Sequence, residues 1–382
     1  MLNKQNTINS QLVITSYGLE SVAGNQDFAL FGAVAARLSC AAEDANHVVA
    51  SPSGKGFDAA LTAAMPKFSV FGPTDRLQLS LEGAISHAAE FLLNSKLEQK
   101  KHLILIVLPA ERCNFIDKKE WQKSIQAELE QFSDLHFSFL KSDANVVKHL
   151  QIVSEKLNSN EFNSVLFAAS DSLLDQLTID ILNEQKRLCS AALSDGLIPG
   201  EAAACVVIQK MDAKLDPRSQ HVRAIIKGLA HVDEPNTGKA DKKSLAGLGL
   251  AIKLASENAG QHPDNIDCVV RTGVTERRSA MEWLQTTNTV WPNTLPEQLR
   301  VAYQIGELDE PPKLKPRKMP EELDVSLALG EIGAASIPLG LVLACARFDF
   351  QYPSVNNCLV FEANDNPFRG AIFLDNPNAG YP

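Results

Sequence analysis

The stretch that decides the fold is GLIPGEAAACVVIQK, residues 196–210. Pro199 and Gly200 predict a turn, and the carboxylate of Glu201 can accept hydrogen bonds from loop amides. The three alanines that follow give a strand with little side-chain bulk, which lets it pack closely under helices. The segment therefore predicts a turn followed by a buried strand that closes the first half of the chain.

Around this segment, short apolar strands alternate with amphipathic helices almost to the end of the chain. Residues 102–112 and 164–172 are apolar runs typical of buried strands, and residues 76–97 predict a long helix. This alternation is typical of a layered α/β fold rather than of a sandwich or a helical bundle.

The second half repeats the order of the first at a spacing of roughly 200 residues. The matching segments, second half first, are 222–232 with 12–21, 266–277 with 103–112, the helix after Gly330 with the helix after Asn145, and 356–365 with 164–172. This repeat predicts a duplicated α/β unit, with an N-terminal half of residues 1–212 and a C-terminal half of residues 213–382. Chance similarity between short strands is the alternative.

Composition limits the class of function. The chain has 382 residues, of which 45% are hydrophobic, so it can bury a full core. Its net charge of −10 argues against nucleic acid or an anionic membrane as a partner, because binding to phosphates needs a cationic surface.

Cysteine usage and hydropathy bear on the cellular compartment. The seven cysteines are scattered, odd in number and without CxxC spacing, which predicts buried thiols in a reducing compartment. The N-terminus lacks the apolar core of a signal peptide, and the longest uncharged run, residues 332–346, is shorter than the roughly 20 residues of a membrane helix. We therefore expect a cytoplasmic protein.

Segment 196–210 resembles the motif that closes the first half of β-ketoacyl synthases, where Pro-Gly-Glu precedes a small-residue strand. Upstream of this segment, residues 165–190 look like the family's preceding strand, its loop and the helix that follows. Residues 330–346, with Gly330 and Gly333, resemble its Gly-His-x-x-Gly-Ala-x-Gly segment and helix. The resemblance covers nearly the whole chain and implies a thiolase fold, in which duplicated α/β units form α-β-α-β-α layers.

The same resemblance implies that the catalytic residues are missing. Condensing enzymes of this family need a cysteine at the start of a buried helix, two histidines and a nearby lysine. The cysteine position falls at Ala144, the histidine positions at Thr272 and Glu331, and the lysine position near Ser326. The glycine-rich segment with its gating phenylalanine is replaced by residues 362–370. We therefore expect no condensing activity, no cofactor and no metal.

Glu331 and segment 276–283, which lie near these positions, each have two possible interpretations. Glu331 is expected to cap a helix N-terminus, where a carboxylate is stabilised by the helix dipole, with an acid–base role as the alternative. The small residues of segment 330–336 are expected to let two helices and a strand end approach closely. Segment 276–283, ERRSAMEW, either binds a partner or anchors the emptied cleft.

Thiolase-like proteins that lack the catalytic set resemble, as a group, accessory factors encoded beside type VI secretion effectors. The leading hypothesis is therefore an inactive scaffold that assists the loading of a secreted effector by binding the adaptor or the effector. One alternative is an inactive chain-length-type partner subunit of a ketosynthase in polyketide or fatty-acid synthesis. Another is an acyltransferase with altered chemistry.

The proline-rich segment 306–324 predicts an exposed loop whose basic residues are candidate partner contacts. These residues are Lys313, Lys315, Arg317 and Lys318. A solvated connection is the alternative. The fold resemblance further implies a homodimer or heterodimer through an edge strand near residues 164–170.

Overall fold

The computed structural model describes residues 11–51, 55–95, 97–142, 146–211, 221–234, 245–273, 275–293, 295, 297–313, 317–350, 353–364 and 367–379. In this part of the chain the strands are β1 (Leu12–Ser21), β2 (Ala42–Ala50), β3 (Phe57–Thr62), β4 (Lys101–Leu108), β5 (Asp134–Lys141), β6 (Ser164–Ser172), β7 (Glu201–Lys210), β8 (Ala224–Asp233), β9 (Cys268–Gly273), β10 (Glu321–Asp324), β11 (Asn357–Ala363) and β12 (Phe368–Asp375). The α-helices are α1 (Asp27–Ala35), α2 (Pro73–Asn94), α3 (Lys118–Glu128), α4 (Val146–Asn158), α5 (Gln176–Glu184), α6 (Gly247–Asn258), α7 (Arg277–Val290), α8 (Glu297–Gln304), α9 (Val325–Leu329) and α10 (Ser336–Asp349).

Ten of the strands form one mixed sheet in the order β10-β9-β11-β12-β8-β1-β7-β6-β4-β5. Strands are counted here within each half and without β2 and β3, which form a separate sheet. From the middle outward, both halves then have the order first, fifth, fourth, second and third strand (β1-β7-β6-β4-β5 and β8-β12-β11-β9-β10). In each half the fifth strand is antiparallel to its neighbours. The halves join where β1 pairs antiparallel with β8. This common order confirms the duplicated α/β unit predicted from the sequence. The boundary between residues 212 and 213 lies outside the described residues, so the division into two halves at that point stays a prediction.

Helices α4 and α10 form the central layer, since each contacts strands of both halves. Helices α2 and α3 cover the outer face of the N-terminal strands, and α6 and α7 cover the outer face of the C-terminal strands. Every residue of α10 from Ser336 to Phe348 is buried, as expected for a helix that is apolar on all sides. The five layers of the thiolase fold are therefore present.

The small residues that link the halves permit a close approach of two loops. The N–H of Gly200 donates to the carbonyl of Glu331 at 2.9 Å, and the N–H of Glu331 donates to the carbonyl of Ile198 at 2.7 Å. A Cβ atom on Gly200 would lie 2.2 Å from the carbonyl oxygen of Leu329, and one on Gly330 would lie 2.4 Å from that of Ile198. Neither position has room for a side chain.

The predicted turn at Pro199 and Gly200 is wrong. Both residues lie in an extended segment that bridges to neighbouring chain segments on two sides. The carbonyl of Pro199 accepts the N–H of Ala63 at 2.8 Å, while Glu331 pairs on the other side. These pairings between distant parts of the chain hold the Pro-Gly dipeptide in an extended conformation.

Glu201 is buried at the start of β7, next to this segment. Its carboxylate accepts the N–H of Met65 at 2.5 Å, the Oγ–H of Ser172 at 3.1 Å and the Nε–H of Arg76 at 2.9 Å. Arg76 belongs to α2, so this ion pair links the outer helix layer to the sheet.

The expected dimer edge is also wrong. Residues 164–170 belong to β6, which lies inside the sheet between β4 and β7 and has both edges paired. In the order of the described strands, β5 and β10 lie at the ends of the ten-stranded sheet.

Two further features concern the thiols and the helix lengths. All seven cysteines are free, and six of them are buried. Within the described ranges, no helix combines the length and the apolar character that crossing a membrane requires.

Candidate functional site

A cavity of about 210 Å³ lies where the central helices begin, at the carboxyl ends of β6 and β11. It is lined by Ser142, Val146, Asp171, Leu173, Leu182, Leu197, Glu331, Gly333, Ala334, Glu362 and Asn364. Three of these residues carry carboxyl groups, and only one of the three, Glu331, was singled out as a site position from the sequence.

Glu362 comes from β11 and caps the N-terminus of α4. Its Oε2 accepts the backbone N–H of Val146 at 3.1 Å, and the N–H of Val147 also bonds to the carboxyl group. The residue is fully buried, at 0% exposure. Burial raises the pKa of Glu362 to about 7, although the two amides and the charge of Arg369 oppose the rise.

Asp171 comes from β6 and plays the equivalent part before α10. Its carboxylate accepts the N–H of Ala334 at 2.7 Å and the N–H of Ser172 at 2.8 Å. Ala334 belongs to the 3-10 turn that continues directly into α10. Burial raises the pKa of Asp171 to about 7, against the effect of these hydrogen bonds and of the Arg112 charge.

The two caps cross between the halves of the molecule. β6 and β11 are the fourth strands of their respective halves, and each supplies a carboxyl group to the central helix of the other half. The positive end of a helix attracts negative charge, and here the chain's own acids accept hydrogen bonds from the amides of Val146, Val147 and Ala334. We refer to Asp171 and Glu362 as the crossed caps.

Sequence reasoning did not identify the crossed caps. In the sequence, Asp171 stands out only as part of the strand-like run 164–172, and Glu362 only as the first residue of the segment that replaces a glycine-rich one. The available signal was an acidic residue near the end of an otherwise apolar strand in both halves, in FAASD and LVFEA. A carboxylate in that position needs internal hydrogen-bond donors, and helix N-termini provide them.

Glu331 has 4% exposure, and its Oε1 accepts the N–H of Gly333 at 3.0 Å. Helix α10 begins five residues later, at Ser336, so the carboxyl group bonds to the entry of the 3-10 turn and not to the first turn of α10. Gly333 has a φ of +48°, and a Cβ there would lie 2.0 Å from Oδ2 of Asp171. The glycine therefore allows the chain to pass beside one crossed cap.

The other two positions inferred from the resemblance differ in placement. Ala144 lies outside the described residues, but Ser142 and Val146, on either side of it, both line the cavity. Thr272 is buried in β9, where its Oγ1–H donates to the carbonyl of Phe361 at 2.7 Å. Thr272 does not line the cavity and is engaged within the sheet.

The groups that line the cavity limit its chemistry. Among its described lining residues there is no cysteine, histidine or lysine. In the described part of the chain, no group of three or more histidine, cysteine or acidic side chains could hold a metal ion. The site thus offers carboxyl groups, a serine hydroxyl and apolar walls.

Arg317, one of the candidate partner contacts, is engaged within the chain. Its guanidinium donates to the carbonyls of Thr287 at 2.8 Å and Trp291 at 2.7 Å, and to the side chain of Asn288 at 3.2 Å. These oxygens lie at the C-terminal end of α7, where a cation is favoured by the helix dipole. Arg317 therefore caps the C-terminal end of α7.

The remaining basic residues of that loop differ among themselves. Lys318 forms an ion pair with Asp267 at 3.0 Å, with its ammonium group largely exposed. Lys313 is exposed, and Lys315 lies outside the described residues. Of the described residues of the cluster, Lys313 is the one for which the structure gives no partner within the chain.

Segment 276–283 anchors α7 in the C-terminal half. Glu282 forms a two-pronged ion pair with Arg369, at 2.6 and 3.0 Å, and both side chains are buried. Trp283 stacks on Phe361 with ring centroids 5.2 Å apart. These contacts favour the anchoring interpretation of the segment.

Comparison with known proteins gives structures but no sequence family. No family model and no curated protein matches the chain. Among solved structures, it is similar to the AntDE:AntF complex, described as a type II polyketide synthase acyl-carrier protein with its ketosynthase bound to the hexaketide. The TM-score is 0.69 at 13% identity, covering 96% of this chain and 99% of that chain.

Two further solved structures give the same result. A β-ketoacyl synthase from Burkholderia phymatum matches with a TM-score of 0.67 at 12% identity, and the ishigamide ketosynthase/chain length factor with 0.68 at 14% identity. Each comparison covers 96% of this chain and 99% of the other. These likenesses confirm the ketosynthase-like thiolase fold predicted from the sequence, and at such identities they show the fold alone.

Proposed function

We propose that this protein is a catalytically inactive, ketosynthase-like subunit that works by binding other proteins. The observation that carries the proposal is the pair of crossed caps. Glu362 occupies backbone amides at the head of α4, and Asp171 occupies an amide in the 3-10 turn that leads into α10. Both carboxyl groups line a cavity that Glu331, one of the inferred catalytic positions, also lines.

Acyl transfer by a condensing enzyme needs a nucleophile and positive potential. A thiolate is stabilised at a helix N-terminus by free amides and the helix dipole, and an oxyanion needs preorganised donors. At the head of α4 the amide of Val146 donates to Glu362, so an anion forming there would face a carboxyl group. The residue inferred for the nucleophile position, Ala144, carries a methyl group that cannot be acylated.

A partner subunit of a ketosynthase is the first candidate role. One similar structure is a ketosynthase/chain length factor, and another is a ketosynthase in complex with an acyl-carrier protein. Among the described strands β5 lies at one end of the sheet, and a strand at a sheet edge can be extended by a partner of the same fold. An inactive subunit would contribute this surface and leave the chemistry to its partner.

Loading of a secreted effector is the second candidate role. It rests on the association, at the level of the group, of thiolase-like proteins that lack the catalytic set with type VI secretion effectors. The absence of cysteine, histidine and lysine among the described lining residues of the cavity is compatible with this role. The corresponding partner would be the adaptor or the effector.

Activity can be tested with the purified full-length protein. We expect no release of carbon dioxide from a malonyl thioester and no β-keto product above the background without protein, while an active ketosynthase measured in parallel gives both. Glu331→Gln serves as a second sample, since an inactive protein gives the same background with either residue. Turnover that Glu331→Gln abolishes would contradict the proposal and favour an acyltransferase with altered chemistry.

The partner can be tested by co-expression with the products of neighbouring genes in the native host. A stable complex with a ketosynthase supports the first role, and a stable complex with an adaptor or secreted effector supports the second. Failure to form a complex with any neighbouring gene product would contradict a protein-binding function.

A further inference from the structure

Helix α8 presents its apolar side chains to solvent. Leu299 and Val301 are each 41% exposed, Tyr303 is 43% exposed, and Ile305 just after the helix is 64% exposed. No residue of α8 is buried. The helix lies between α7 and β10, where the equivalent connection in the N-terminal half, from α3 to β5, contains no second helix among its described residues.

The exposed residues form one face. Successive residues of an α-helix are about 100° apart, so Leu299 and Tyr303 lie side by side with Ala302 next to them, and Ile305 and Val301 extend the apolar residues to an arc of about 200° that also contains Gln298. Arg300 and Gln304 lie on the opposite side. This is the pattern of an amphipathic helix whose apolar face packs against something.

A helix this short needs a cover for that face. Isolated helices below about 12 residues are marginal in water, and helices in proteins are stabilised mainly by packing of an apolar face. α8 has eight residues, and the described part of this chain buries none of them. The described part of the chain therefore leaves this face accessible to another molecule.

The charged residues next to α8 indicate the chemistry of a molecule that would cover it. Glu307, Asp309 and Glu310 follow α8 directly, and all three are exposed. They add to the negative end of the helix dipole, so the C-terminal end of α8 is net negative, although the exposed Lys313 three residues further on offsets one of these three charges. A covering surface with lysine and arginine at this end would be attracted to it.

We propose that α8 and the acidic residues after it form a docking surface for a different protein, one with an apolar groove bordered by lysine and arginine. This inference rests on the proposed protein-binding function and names the surface and the chemistry of the partner. A second copy of the chain fits less well, because its net charge is −10 and the nearby Arg317 and Lys318 are engaged within the chain.

The test uses the full-length protein as bait in a quantitative pull-down from the soluble lysate of the native host. Leu299→Gln with Tyr303→Gln removes the apolar face and keeps good helix formers. Arg300→Gln is the matched control on the opposite face. A third bait carries Glu307→Gln, Asp309→Asn and Glu310→Gln. Because these side chains are exposed, all baits should unfold at the same urea concentration as the parent.

We expect at least one protein to be recovered about tenfold less with the double variant and within about twofold of the parent with Arg300→Gln. That protein, purified, should bind the parent less tightly as salt increases, and the triply neutralised bait should reduce this salt dependence. The triple variant also tests the proposal if the double variant does not fold.

The failing outcomes are distinct. If the double and triple variants recover everything that the parent recovers, α8 is not the docking surface, but the proposed function stands. If no bait recovers any protein, the proposed function fails and this inference with it. If light scattering shows that the parent self-associates through Leu299 and Tyr303, a second copy covers the helix and the proposal is overturned.

Discussion

Replacing Glu362 with glutamine should remove a pH-dependent loss of stability. Glu362 is fully buried, and burial raises its pKa from 4.5 to about 7. Between these two values the folded protein keeps a proton that the unfolded chain has released, so stability falls as pH rises through this window. One pKa unit corresponds to about 1.4 kcal/mol, and the shift therefore costs about 3 kcal/mol above pH 7.

Glutamine keeps a carbonyl oxygen for the amide of Val146 but does not titrate. Relative to the parent, Glu362→Gln should thus gain about 3 kcal/mol in the free energy of unfolding between pH 5 and pH 8. Urea unfolding at several pH values in this range measures the difference. Asp171 titrates over a similar window in both proteins, so subtracting the two curves isolates Glu362.

Two results would refute this reasoning. Parallel stability curves for parent and variant would mean that folding does not raise the pKa of Glu362. A variant that becomes progressively less stable than the parent as pH rises would mean that the carboxylate is a net stabilising anionic cap, with the helix dipole outweighing burial.

Three further substitutions test the packing around the site. Gly333→Ala should lose at least about 2 kcal/mol of unfolding free energy, because φ is +48° and the added methyl would lie 2.0 Å from a carboxylate oxygen, whereas Gly32→Ala in the open face of α1 should lose none. Glu282→Gln should cost about 3 kcal/mol, because it removes one charge of a buried ion pair with Arg369, and a denaturant midpoint equal to the parent's would contradict this. Arg317→Gln should cost about 1–2 kcal/mol by freeing the carbonyls at the end of α7, and an unchanged melting temperature would show that the loop only touches the helix.

The sequence predicts the fold well because the relevant signals are local. Strand and helix periodicities, and the repeat of segment 356–365 on segment 164–172, depend on residues within each element. Strand order is different, since it depends on contacts between distant segments. The fold resemblance implies an edge position for residues 164–170, yet the register with β4 and β7 puts them inside the sheet.

The site was less predictable for the same reason. Pro199 and Gly200 have strong local turn preference, but pairing with Glu331, far along the chain, keeps them extended. The acids that matter most, Asp171 and Glu362, act on helices of the opposite half, which only the packing of the two halves reveals.

The most direct measurement of the central claim is the intact mass of the full-length protein after incubation with an acyl-CoA or an acyl-carrier protein charged with an acyl group. Acyl transfer is the first chemical step of a condensing enzyme, and its detection does not depend on knowing the second substrate. The account predicts the unmodified mass, with an active ketosynthase acylated in the same experiment. A stoichiometric acyl adduct on the parent protein, mapped to a residue lining the cavity, would contradict it.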